Sequence, residues 1–250
     1  MGALGSSLKA LIEDLLFPIR LHLSPRIAWS AKRKIVRFSP STLVKGPCRE
    51  QDLEAMLYVT QHSSVPAPRV IRVYRREKGR DDGLWICMEF IRGESLVASW
   101  TKEDEHVRRK WVLKIMESVR VMRALSPPED LGVVVGSTEG GGVIDGILSE
   151  DEVGPFATVA AFRELLQSNP NLEQYRDLWD SDKEMYCVLT HADLAPRNII
   201  LRSNDGEPVI IDWEFAGWWP EYWERIKWHF ADFPETTGWV EMMDALDDEG

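Results

Sequence analysis

The chain is poor in cysteine: Cys48, Cys87 and Cys187 are the only three in 250 residues, with no C-x-x-C pair among them. This excludes a disulfide framework and a cysteine-built metal site, and it predicts reduced structural thiols in a cytoplasmic protein. No apolar run reaches the roughly 18 residues needed to cross a bilayer. The stretch 8–16 is broken by Lys9, Glu13 and Asp14 and makes a poor signal peptide. Basic residues are in deficit, 30 Lys and Arg against 41 Asp and Glu, for a net charge of −11. Nucleic-acid binders need clustered Lys and Arg, so no nucleic-acid partner is expected. A cationic substrate would be compatible with this charge, although net charge is a weak guide to one pocket. A Gly-rich phosphate loop of the G-x-x-x-x-G-K-[ST] type is also missing. The stretch G-S-T-E-G-G-G at 136–142 is followed by no Lys-Ser/Thr and opens no helix, so it is expected to be a flexible linker.

What remains is an ordinary globular composition, 44% hydrophobic and 28% charged, long enough for one large or two small domains. The chemistry concentrates in one stretch, 187–216, which reads C-V-L-T-H-A-D-L-A-P-R-N-I-I-L-R-S-N-D-G-E-P-V-I-I-D-W-E-F-A. It contains His191-x-Asp193-x-x-x-x-Asn198, and an apolar run ends in Asp212, 14 residues past Asn198. Phosphoryl transfer needs this set of groups. The transferred group is strongly anionic, so it must be positioned and its charge neutralised. Magnesium takes hard oxygen ligands from one or two carboxylates, which makes Asn198 and Asp212 the candidate metal ligands. Asp193 is the candidate base, accepting the proton of an attacking hydroxyl, and His191 is expected to orient the loop backbone. Asn198-Ile-Ile-Leu and Val209-Ile-Ile read as two strands around a Ser203-Asn-Asp-Gly turn, a hairpin that would bring Asn198 and Asp212 to the same side.

T-H-A-D-L-A-P-R-N-I-I-L followed by I-I-D-W-E-F-A-G-W-W-P-E-Y-W-E resembles the aminoglycoside phosphotransferase-like enzymes, and their fungal branch in particular. This family is related to choline and ethanolamine kinases. The likeness extends upstream through S-S-V-P-A-P-R-V at 63–70 and W-I-C-M-E-F-I-R-G-E-S-L at 85–96, covering about 34–230. Asp212-Trp-Glu stands where a protein kinase has D-F-G, and no A-P-E follows. The resemblance implies an α+β, bilobal protein-kinase-like fold, with ATP and Mg2+ as cofactors and a small-molecule hydroxyl as acceptor. The small N-lobe would carry an antiparallel sheet, and the C-lobe would be mainly helical. It further implies that Lys45 holds the nucleotide phosphates and that a helical acid, Asp52 or else Glu54, steadies it. The backbone from Glu89 to Ile91 would meet the adenine edge. The turn at 38–41, where such folds cradle phosphate, has no glycine. The alternative is therefore a non-catalytic, nucleotide-binding or scaffolding member of the same fold.

The expected organisation is an N-terminal helical extension over 1–30, an N-lobe over 31–92 and a C-lobe over 93–250. The start, M-G-A-L-G-S, fits the N-myristoylation pattern at Gly2. The simpler expectation is a plain helix packing on the N-lobe. One acyl chain would give only marginal binding, so no stable membrane association is expected. In the C-lobe a helical stripe runs through Val107, Trp111, Ile115, Val119 and Met122, and a second helix covers 156–166 near Thr158. The dense rings at Trp213, Phe215, Trp218, Trp219, Tyr222 and Trp223 are expected to fill core. The acidic end, 239–250, is expected to fray.

Overall fold

The computed structural model describes residues 2–29, 34–77, 82–179, 186–231 and 233–249, without the side chains of 2–12 and 150. The chain divides into two compact units, one formed by Met1–Glu50 with Pro68–Ile91 and the other by Gln51–Ala67 with Arg92–Gly250.

The first unit is an antiparallel sheet with one helix. Strands β1 (Arg26–Trp29), β2 (Lys34–Ser39), β3 (Thr42–Cys48), β4 (Val70–Arg76) and β5 (Gly83–Glu89) lie in the order β1-β2-β3-β5-β4. The sequence reading did not include β1. The charged run 75–83 reads from sequence as a hairpin loop, and its residues 78–81 lie outside the described residues. Helix α1 (Gly2–Leu23) buries Phe17 and Leu21 in a core with Val36, Val44, Tyr74 and Trp85. Phe17 stacks at 4.3 Å on Tyr74 and meets Trp85 edge-on at 5.5 Å. Arg72 on β4 ties the helix down by pairing with Glu13 and Asp14.

In the second unit, α2 (Glu50–His62) runs into Pro66, where the backbone carbonyl accepts from the Ile210 N–H at 2.9 Å. Then follow β6 (Gly93–Ser95), α3 (Leu96–Trp100) and α4 (Glu105–Arg123), with Asp104 capping α4 through the Val107 N–H. The buried face of α4 is Val112, Ile115, Met116, Ser118, Val119 and Met122, rotated from the expected stripe so that Val107 and Trp111 are only half-buried. Hairpin β7 (Val143–Asp145)/β8 (Ser149–Val153) precedes α5 (Val159–Gln167), which Thr158 caps through the Ala161 N–H. After α6 (Arg176–Trp179), β9 (Cys187–Thr190) pairs with β12 (Gly217–Pro220). Between them, β10 (Ile199–Arg202) pairs with β11 (Pro208–Ile210) on one side and β6 on the other. Helices α7 (Trp223–His229) and α8 (Trp239–Asp248) close the unit. Among the described residues no helix is long and apolar enough to cross a membrane.

Two expectations are corrected. The glycine-rich stretch near 136 is packed core, with Ser137 and Thr138 buried. Gly136 and Trp218 exchange backbone hydrogen bonds, and a Cβ on the neighbouring Gly217 would lie 2.5 Å from the Gly136 carbonyl oxygen. Glycine is needed there for close backbone approach. Gly217→Ala is expected to cost about 1–3 kcal/mol through this overlap, seen as a lower urea midpoint by circular dichroism. An unchanged midpoint would refute the packing argument. The acidic end does not fray but forms α8. Trp239, Met243 and Leu246 are buried at helical spacing, and Asp247 and Asp248 pair with Arg123 and Arg225. Composition hid the apolar stripe beneath charges that have partners.

The rings after Asp212 are core as expected. Trp213, Trp218, Trp219 and Trp223 are fully buried, with Trp219 and Trp223 stacked at 5.3 Å. Phe215 is the half-buried member.

Candidate active site

The second unit holds a loop between β9 and β10 whose backbone is pinned from beneath. At the end of β9 the chain turns through Ala192, which has a left-handed φ of 59°. For alanine that conformation is strained, by about 1–3 kcal/mol, and persists only where the surroundings impose it. Here the cause is Glu224 on α7. Its Oε2 accepts from the N–H of His191 at 2.7 Å and from the N–H of Ala192 at 3.2 Å. Glu224 is fully buried, and that burial pushes its carboxyl up, against the lowering pull of His191 and the two N–H bonds.

His191 lies in the floor of the loop, fully buried. Its Nδ1 accepts from the Asp193 N–H at 3.2 Å, which leaves the proton on Nε2, 3.0 Å from the Ile211 carbonyl it donates to. One imidazole therefore ties the backbone of Asp193 to the residue before Asp212. Trp213 meets the ring edge-on at 4.7 Å.

Asp193 is half-buried and both its oxygens are engaged. Asn198 donates from Nδ2 to Asp193 Oδ2 at 2.7 Å and to the Asp193 carbonyl at 2.9 Å. Arg197 donates to Oδ1 at 2.6 Å. Asn198 ends a short 3-10 turn, Pro196–Asn198, rather than beginning the strand. Its carbonyl accepts from the Ile211 N–H at 2.9 Å and so continues the β10–β11 ladder toward Asp212.

Asp212 has a φ of 67°, a left-handed conformation that Asp adopts more readily than most residues. Its carboxylate gathers with Asp52 of α2 and Glu214, with one oxygen from each lying within 4.8 Å of the others. Three carboxylates this close repel one another unless a cation joins them, and their hard oxygens are the donors magnesium or calcium takes. Glu54 points elsewhere, accepting from the Ser137 hydroxyl at 2.8 Å.

The other residues singled out from sequence lie in the first unit. Lys45 is buried on β3, in register with Ile86 of β5 and Ile35 of β2. Glu89 ends β5. Its N–H donates to the Arg69 carbonyl at 2.9 Å, and Ile91 follows two residues on, half-buried. The glycine-free turn is closed by its own side chains. Ser39 Oγ lies 2.8 Å from Thr42 Oγ1 and accepts from the Ser41 N–H, while Arg37 donates to the carbonyls of Ser39 and Pro40.

The family profile described as "Phosphotransferase enzyme family" matches residues 26–241. The chain belongs to this family. Among curated proteins none matches it. Solved structures share its kinase-like fold. An apo thermostable mutant of aminoglycoside phosphotransferase APH(4)-Ia superposes with a TM-score of 0.59 at 14% identity, over 95% of this chain and 80% of that one. The GDP and kanamycin complex of APH(2")-IIIa gives 0.59 at 13% identity, over 94% and 82%. A ternary complex of APH(4)-Ia with AMP-PNP and hygromycin B gives 0.56 at 16%, over 90% and 76%.

In this phosphotransferase the sequence motifs missed three groups. Glu224 lies 33 residues from the loop it pins, and nothing local marks it. Glu214 is visible in D-W-E, two residues past Asp212 and open to the same reading as an acidic ligand. Arg197 sits inside the motif itself, and its four-residue spacing from Asp193 was a signal for an ion pair.

Proposed function

We propose that the chain is an ATP- and Mg2+-dependent phosphotransferase that phosphorylates a hydroxyl of a small molecule. The observation that carries this reading is the single scaffold of His191, Asn198 and the β10–β11 ladder, which ties Asp193 to the backbone leading into the acidic cluster at Asp212. Asp193 accepts the acceptor's hydroxyl proton as the oxygen attacks the γ-phosphorus and ADP departs. Asn198 holds the Asp193 carboxylate in place, and His191 holds its backbone. Asp212 and Glu214 would hold the metal, with Asp52 and the Asn198 amide oxygen beside them; bound magnesium supplies neutralisation of the phosphate charge. Lys45 is assigned to the nucleotide phosphates and the backbone of Glu89 and Ile91 to the adenine. The helical acid of the phosphate site is assigned to Asp52, because Glu54 is engaged by Ser137. The His191 and Asp212 motifs support a place in the fungal branch, and the three sparse, free cysteines, two of them buried, support the cytoplasm. One observation favours the non-catalytic alternative: the Ser39 hydroxyl of the 38–41 turn is spent on closing the turn.

Nucleotide binding is the first test. Saturating ATP with Mg2+ should raise the Tm by about 5–10 °C, since ligand at 100 times its Kd adds about 2.7 kcal/mol. The gain should shrink without Mg2+ and in Asp212→Ala. The absence of any shift at millimolar Mg–ATP would sink the proposal.

A further inference from the structure

A cavity of about 230 Å3 opens beside Asp193, walled by Arg197, Phe215, Lys227, Phe230 and Ile147. Among the described residues of its wall the charged side chains are the Asp193 carboxylate and the cations Arg197 and Lys227. Arg197 is exposed, donates to Asp193 Oδ1 at 2.6 Å and lies over the Phe233 ring at 5.3 Å. Lys227 is nine-tenths buried, and its ammonium bonds both oxygens of Asp145, at 3.0 and 2.9 Å. Asp145 is fully buried behind the wall, held also by the Trp223 indole N–H at 3.1 Å and the Ile147 backbone N–H at 2.9 Å. It fixes Lys227 in place and offsets part of its charge. An ammonium has three donors, and here it donates to Asp145 Oδ1 with Oδ2 in ion-pair contact.

Resting on the phosphotransferase reading, we propose that the acceptor is a hydroxylated carboxylate, its anionic end bound by Arg197 and Lys227 between Phe215 and Phe230. A cationic acceptor would find, among the described residues of this wall, only the Asp193 carboxylate, already half taken by Arg197. An anionic one matches the planar fork of Arg197 and the fixed ammonium of Lys227. Binding also has a consequence for the base. When Arg197 turns from Asp193 Oδ1 to the acceptor's carboxylate, that oxygen is released to take the hydroxyl proton. The acceptor thereby completes the site that acts on it.

The test uses the full chain and two matched series. One is 3-hydroxybutyrate, 3-hydroxybutyramide and 4-amino-2-butanol. The other is 4-(hydroxymethyl)benzoate with its amide and its aminomethyl analogue. Each compound is titrated calorimetrically without nucleotide, and Mg–ADP is titrated separately. The carboxylate of at least one series should bind about ten-fold or more tighter than its amide and amine. Arg197→Ala should erase that preference and Arg197→Lys retain part of it. Arg197 is the residue to vary because Lys227→Met would strand the buried Asp145. Equal or tighter binding of the amines overturns the assignment, as does saturable binding by neither carboxylate or a preference unchanged in Arg197→Ala. Loss of Mg–ADP binding confined to Arg197→Ala also overturns it, by giving Arg197 to the nucleotide phosphates. Failure of the native chain to bind Mg–ADP strikes the phosphotransferase reading instead.

Discussion

Asp193→Asn is expected to lower acceptor-dependent ATP turnover by about 10³-fold, within the 10²–10⁴ range for a positioned general base, while leaving the Tm within a degree or two. The amide keeps the shape of the carboxylate, so its oxygen still accepts from Arg197 or Asn198. What is lost is the capacity to take a proton. A thousandfold loss corresponds to about 4 kcal/mol of barrier, far more than any rearrangement of a half-exposed side chain would supply. Stopped-assay ADP release, corrected for acceptor-free hydrolysis, gives the comparison. A loss below about tenfold would show that Asp193 only orients the hydroxyl and that the proton leaves by another route.

The second large effect falls on Glu224. Glu224→Ala removes the oxygen that accepts from two buried N–H groups and that holds Ala192 at positive φ. Each orphaned donor costs about 1–3 kcal/mol, so a loss of about 2–5 kcal/mol is expected in urea denaturation. Glu224→Gln should keep most of this stability, because an amide oxygen can accept the same bonds. The two variants also separate charge from geometry. Burial raises the folded carboxyl above its unfolded value, so the native state retains a proton that the unfolded chain has already released. The resulting stability is present in full below the unfolded value, near pH 4.3, and is lost as pH rises through the higher folded value. The stability of the native chain relative to Glu224→Gln should therefore fall as pH climbs from 4 and then level off. A difference that rises over the same range would show the carboxylate to be favoured in its charged form.

The parts that sequence made legible are those built within a short length of chain. His191, Asp193 and Asn198 share one loop, and a hairpin of β-branched residues around an Asp-Gly turn carries the reading on to Asp212. Period, turn chemistry and spacing are enough there. Lys45 could be placed on its strand and the Trp cluster in the core for the same reason, while the helix read over 156–166 begins only at Val159, with Thr158 as its cap. What escaped depends on distant neighbours. Glu224 reads as an ordinary helical acid until α7 is seen beneath the loop, and its partners are backbone N–H groups that carry no sequence signature. The glycines at 136 and 217 look like slack, although a Cβ on Gly217 would run into the Gly136 carbonyl and one on Gly136 into the Gly141 carbonyl. The acids of α8 suggest disorder until Arg123 and Arg225 are found opposite them. Helical register favours Asp52 over Glu54; in the structure Glu54 accepts from the Ser137 hydroxyl, which comes from 83 residues further along the chain.

Phosphoryl transfer itself is the most direct test of the central claim. The full chain, incubated with ATP, Mg2+ and a pool of small hydroxylated compounds rich in carboxylates, can be followed by phosphorus NMR. The account predicts a new phosphomonoester resonance growing in step with ADP, absent in Asp193→Asn and in Asp212→Ala. Bound Mg–ATP that yields no phosphomonoester from any compound of such a pool would contradict it and leave the kinase-like fold as a nucleotide-binding scaffold.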